Sequence, residues 1–192
     1  MLHTTTRLNL AAVIAAIVTT DAGQAPSPDL TSQAVAAFEQ SARDYASLHR
    51  RLEAPIGSIT LGMSVEAANR HIQALAAAIR AERADAQAGE FFTPALAIEL
   101  RAGVHTALDE HGYTAADVLA HGRVAGVDYA RVRLQVNDTF PWILGVAMFP
   151  CLMDALPALP SVLQYRIVGR DLVLIDVHAS LIVDILTNLL IQ

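Results

Sequence analysis

No lysine occurs anywhere in the 192 residues; all 13 basic residues are arginine. That absence excludes Schiff-base chemistry and a phosphate-binding loop built on a lysine amine. Together with the abundance of alanine it reads as a compositional bias of the coding genome. Cysteine is almost missing too. Cys151 is the only one, so no intramolecular disulfide can form and stability has to come from packing. Between Pro150 and Leu152, it is expected to be a buried small hydrophobe, with a redox or dimer-forming thiol as the sharper alternative. Positive charge is in deficit: 13 basic against 19 acidic residues give a net charge of −6. A general affinity for nucleic acid or anionic surfaces is therefore not expected. The hydrophobic fraction is 54%, yet beyond the N-terminus no apolar run approaches the ~20 residues of a spanning helix, which argues against a polytopic membrane protein. The motifs HExxH, GxSxG, GxGxxG, the P-loop and paired CxxC are all absent, which lowers the weight of the ordinary enzyme classes without excluding them.

What is present begins with a segment organised like a secretory leader in residues 1–25: Arg7, an apolar stretch from Leu8 to Val18, then small residues. Cleavage is expected after Ala22, because Pro26 directly follows the other candidate, Ala25. An uncleaved signal anchor is the alternative. No cysteine lies near the end of the leader, so lipoprotein anchoring is not expected. Residues 26–29 read as a linker, and residues 30–192 as one domain with a real core.

Helical spacing opens that domain. Val35, Phe38, Ala42, Tyr45, Leu48 and Leu52 recur at three- and four-residue steps until Pro55 and Gly57 stop the helix. Ser64 caps a second helix with Val65, Ala68, Ile72, Leu75 and Ile79 on its apolar stripe, running to about Asp85. Thr93 and Pro94 start a third, whose buried face is Leu96, Leu100, Val104 and Leu108, and Gly112 ends it. Thr114 caps a short fourth helix through about Ala120. The period then changes to two: Ala130, Val132, Leu134 and Val136 alternate with Tyr129, Arg131, Arg133 and Gln135, which predicts a half-buried strand. Residues 137–160 are proline-rich and irregular, with a short helical piece around Cys151–Leu156, and should wrap the core. Leu163 to Ile167, a Gly169-Arg170 turn and Leu172–Ile175 predict a hairpin. Leu181, Val183 and Ile185 suggest a third strand, with a helix from Ala179 as the alternative. The fold class expected is α+β, a helical N-terminal region of about four helices packed on a small antiparallel sheet with a C-terminal hairpin or meander.

The segment from Tyr165 to Asp176, followed by Leu181-Ile182-Val183-Asp184, resembles the C-terminal part of many small exported bacterial proteins. A similar strand-turn-strand-turn-strand module closes small periplasmic proteins related to nickel and cobalt homeostasis. The resemblance covers about the last 25 residues and brings no metal ligands with it. Phe91-Phe92-Thr93-Pro94 and the segment after it are likewise similar to exported proteins of this kind. Both resemblances imply export.

Candidate sites are few. His105, Asp109, Glu110 and His111 end the third helix and His121 follows one short helix later; His105 and Asp109, four apart, share a face and could grip one cation. The same residues also fit a solvated helix end. Asp176 and His178 would share a face of an extended chain and could pair as an acid and an oriented base; a turn aspartate and a surface histidine are the plainer account. Arg131, Arg133 and Arg166 would form an anion-binding face if their strands paired, or else a wet outer sheet face. Trp142 and Phe149 bound a crowded apolar segment suited either to an envelope-protein partner or to the core.

These observations favour a non-enzymatic binding or accessory protein of the periplasm or the secreted space, without identifying its ligand or any cofactor. A metal-dependent enzyme or hydrolase using His105, Asp109, His111 and His121, and a carrier of a small hydrophobic ligand, are the alternatives. Expressed untagged in a Gram-negative host, the chain should accumulate in the periplasm lacking about 22 to 25 residues by intact mass. An intact leader recovered in the membrane fraction would instead mean a signal anchor.

Overall fold

A computed structural model describes residues 28–121, 123–146 and 148–191; the expected leader and the cleavage expected after Ala22 lie outside them. Helix α1 (Pro28–Glu53) starts within the segment read as a linker, and α2 (Val65–Glu82), α3 (Pro94–Glu110) and α4 (Ala115–His121) follow. After two single-turn 3-10 helices and α5 (Pro150–Asp154), the chain closes with β1 (Leu163–Val168), β2 (Asp171–Asp176) and β3 (Leu181–Leu186). The class is α+β, as the residue pattern predicted, with, among the described residues, five α-helices in front of a three-stranded antiparallel meander of order β1-β2-β3. The third strand forms in place of a terminal helix. No helix among the described residues is long and apolar enough to cross a membrane.

The helix ends follow local chemistry. Ser64 Oγ accepts the Ala67 amide at the start of α2, and Thr93 Oγ1 accepts the Leu96 amide at the start of α3, with Pro94 in the first turn where its missing donor costs nothing. All four residues expected on the buried face of α3 are buried. On α2 the buried face is turned slightly from expectation: His71, Leu75, Ala76 and Ile79 are inside, while Val65 is exposed.

Both faces of the sheet are covered. Helices pack on one face over Leu163, Tyr165, Leu172, Leu174, Leu181 and Val183. On the other, Phe140, Val168, Val173, Ile175, Ile182 and Ile185 form a second cluster roofed by Tyr129, Val132, Leu134 and Leu144. Double burial explains why β2 and β3 read as continuous apolar runs rather than alternating ones.

The strand predicted at Ala130–Val136 does not form. Tyr129–Arg131 is a 3-10 turn capped by Asp128, whose carboxylate accepts the Ala130 amide, and the residues after it join no ladder. The period-two pattern was nonetheless physical from residue 131 on, since Val132, Leu134 and Val136 are half-buried while Arg131, Arg133 and Gln135 are exposed; at the 3-10 turn it reverses, with Tyr129 half-buried and Ala130 exposed. Alternation reports which side chains face the core, not whether the backbone finds a partner. Residues 137–146 hold that partnership instead: Asn137 and Phe140 donate to carbonyls of Ile182 and Ser180 at the β3 edge, and Val146 bridges Ile167 at the β1 edge. Both sheet edges are thereby closed.

A β-bulge decides the position of one buried charge. Leu174 pairs with Asp184 but Ile175 pairs with Ile182, leaving Val183 as the extra residue. The inserted residue shifts the alternation and turns Asp184 towards the helices, on the same side as Leu174. There its carboxylate accepts amides from Gly89, Phe91, Phe92 and Ile185 at 2.7 to 2.8 Å, organising the turn that leads into α3. The bulged residue's carbonyl accepts from Arg83. Replacing Asp184 with Ala would strand these buried donors and should destabilise the fold by ~3 kcal/mol or more, read from the urea midpoint. An unchanged midpoint would contradict the role assigned to Asp184.

Candidate functional site

Three consecutive positions on one face of α1, Tyr45, His49 and Glu53, recur every four residues and meet the β2–β3 turn. Tyr45 and His49 are buried because that face packs on the sheet, and Glu53, in the last turn, reaches the rim. At the end of β2, Asp176 is fully buried and divides its carboxylate between two tasks. Oδ1 accepts the amides of His178 and Ala179, which folds the turn. Oδ2 accepts the Tyr45 hydroxyl at 2.9 Å and lies 2.6 Å from His49 Nδ1. A carboxylate can only accept here, so His49 carries its proton on Nδ1 and presents Nε2 on its far side.

Around that nitrogen the remaining ligand-type groups converge. Glu53 Oε2 lies 3.4 Å from His49 Nε2, and Glu53 Oε1 lies 3.4 Å from His71 Nε2 of α2 and 3.7 Å from His178 Nδ1. One ligand atom each from His49, Glu53 and His178 falls within 4.8 Å of the others, and this is the group of that kind among the described residues. The Nε2 atoms of His49 and His71 are buried without a hydrogen-bond partner. Exposure grades across the cluster: His49 is 0% exposed, Glu53 16% and His178 45% by side chain, so the group opens to solvent on the His178 side.

The electrostatics follow from burial and from the two acids. Burial opposes protonation of His49, but the hydrogen bond to Asp176 and the charges of Asp176 and Glu53 outweigh it and hold the imidazole above its ordinary value. Burial, joined by the negative charge and hydrogen bond of Asp176, pushes the Tyr45 phenol far above its ordinary range, with Arg83 partly opposing. Tyr45 therefore remains a donor. The Arg83 guanidinium sits 5.3 Å over the Tyr45 ring and 5.6 Å over that of Phe91.

The residues singled out from sequence lie elsewhere. His105 is half-buried on α3, Asp109 is exposed, the His111 ring binds the Ala107 carbonyl at the helix end, and His121 packs edge-on against Phe149. They form no such ligand cluster among the described residues. Arg131 pairs with Asp128 at 3.1 Å, Arg133 donates to the Ala130 and Val132 carbonyls, and Arg166 stacks 5.8 Å from the Trp142 ring, so no common guanidinium face forms. Trp142 is 45% exposed with its indole N–H on Ser180, whereas Phe149 is half-buried and packs on the core. Of Asp176 and His178, the acid orients His49 instead of its near neighbour, while His178 joins the cluster across Glu53.

Sequence reasoning missed His49, Glu53, His71 and Tyr45. A signal existed: His49 interrupts the apolar stripe of α1 with an acid four residues on, and His71 adjoins the stripe of α2. Pairing them required knowing that the β2–β3 turn lands beside α1.

Tyr45→Phe should cost ~2 kcal/mol by removing one hydrogen bond to a buried charge. Asp176→Ala should cost ~3 to 5 kcal/mol, since it strands Tyr45, His49 and two turn amides. The double variant should fall well short of the sum in denaturant unfolding, because both act through one network; full additivity would refute the coupling. Comparison with protein-family models, curated proteins and solved structures finds no match to this chain.

Proposed function

We propose that this protein binds a divalent transition-metal ion through His49, Glu53 and His178, and that it does so as an exported binding protein of the periplasm or the secreted space. The observation that carries the reading is the buried Nε2 of His49, which makes no hydrogen bond and faces the Glu53 carboxylate at 3.4 Å with His178 beyond it, while Asp176 fixes the opposite ring nitrogen. A carboxylate on the distal nitrogen of a histidine is the usual outer support of a metal-binding imidazole, because it sets the tautomer and raises the basicity of the ligating atom. Two imidazoles and one carboxylate suit zinc, nickel, cobalt or copper; calcium and magnesium favour all-oxygen sets. His71 lies outside the three-atom group, its Nε2 3.4 Å from Glu53 Oε1.

Protein purified without an affinity tag should take up zinc at about one ion per chain in calorimetry, with a rise in melting temperature. His49→Ala, Glu53→Gln and His178→Ala should each weaken binding at least ~10-fold, and Asp176→Asn ~10- to 100-fold. His105→Ala and His121→Ala should leave it unchanged. No uptake of zinc, nickel, cobalt or copper, and no thermal shift with any of them, would overturn the reading.

A second reading rests on the exposure of His178. Three protein ligands with one side open to solvent is the arrangement of catalytic zinc sites, in which the remaining position holds a water. Zinc-dependent hydrolysis of simple esters or phosphoesters, abolished by Glu53→Gln, would favour the enzyme. Stoichiometric zinc without such turnover favours the binding protein.

A further inference from the structure

A cleft of about 750 Å³ lies on the other side of the molecule, between α4, the segment 123–134 and the β1–β2 turn. Its volume is that of an ordinary small-ligand site. Leu119, Val132, Leu134 and Ile167 give it apolar walls, and three arginines, Arg123, Arg133 and Arg170, stand along it. Two acids also line it: Asp128 is paired with Arg131 and accepts the Ala130 amide, whereas Asp171, among the described residues, accepts only the neutral Asn188 amide and keeps its charge, so the lining stays net positive with three arginines. Arg133 uses one guanidinium nitrogen on neighbouring carbonyls. The side chains of Arg123 and Arg170 make no hydrogen bond or ion pair with any described residue.

We propose that this cleft binds a small amphiphile with a carboxylate head, of the medium-chain fatty-acid type. The chain lies along the apolar walls and the carboxylate is taken by Arg123 and Arg170, with Arg133 beside them. Guanidinium groups recognise a carboxylate through paired hydrogen bonds, and those of Arg123 and Arg170 are uncommitted among the described residues. A chain of net charge −6 has no general attraction for anions, so three arginines along a recess of mixed polar and apolar walls mark a discrete site rather than a sticky surface. The proposal is independent of the metal cluster, which is built from α1, α2 and the β2–β3 turn.

The test is calorimetric titration of the full chain with decanoate and with 1-decanol. Decanoate is expected to bind one site, at least ~10-fold more tightly than the alcohol, and Arg123→Gln/Arg170→Gln should weaken decanoate by ~10-fold or more while leaving the alcohol unchanged. Both residues are exposed, so folding should be preserved. Leu119→Trp, which fills the apolar wall, should abolish binding of both probes with the circular dichroism spectrum and zinc uptake unaltered. Equal affinity for acid and alcohol, an unaffected arginine double variant, or no binding of decanoate would overturn the proposal. So would binding to phosphatidylglycerol vesicles that decanoate fails to compete away, which would assign the arginines to a lipid headgroup.

Discussion

A single buried carboxylate, that of Asp176, ties the helical half of this protein to its sheet. A charge removed from water is tolerated only if its lone pairs are filled, and here four donors fill them: a phenol and an imidazole from α1, and two amides of the turn that Asp176 itself begins. The consequence is geometric. The same anion that folds the β2–β3 turn also fixes the rotation of α1, so His178 on the turn and Glu53 on the helix are brought to opposite sides of one small space. The candidate metal site is a by-product of how the fold satisfies one charge.

Asp184 plays a matching part at the other end of the helical face. The bulge at Val183 places it there, and its four amide donors shape the turn before α3. Arg83 lies between the two anions in function, donating to the bulged carbonyl and to Glu90 while its guanidinium covers the Tyr45 and Phe91 rings. Among the described residues buried polar side chains are thus few, and the two carboxylates at junctions between elements each accept four hydrogen bonds. With no disulfide available, they supply directional specificity that apolar packing alone does not.

The two proposed sites draw on different parts of the structure. The metal cluster uses rigid elements, with its deepest ligand fixed by a partner on the opposite ring nitrogen, which is how a precise ligand geometry is maintained. The cleft uses connecting segments that roof the second face of the sheet, where exposed arginines keep their freedom and an apolar recess remains. A binding protein with both would present a metal ion on one side and an organic anion on the other.

Much of the architecture was legible in the residue pattern because its causes are local. Ser64, Thr93 and Pro94 mark helix starts through their own hydrogen-bonding chemistry, Gly169 permits the tight turn with φ of 60°, and the stripe of α3 records its buried face. The same pattern misjudged Ala130–Val136, since alternation encodes burial while a strand also needs a free edge, and residues 137–146 already occupy both edges. The site was illegible for a related reason. Asp176 and His49 are 127 residues apart, and no property of either predicts that they meet. The amino-acid sequence by itself determined the class, the starts of α2 and α3 and the first hairpin, through capping, periodicity and turn chemistry. Only the tertiary structure decided which histidines converge, because ligand convergence depends on how separate elements are rotated against one another, and that rotation is set by long-range satisfaction of buried charge.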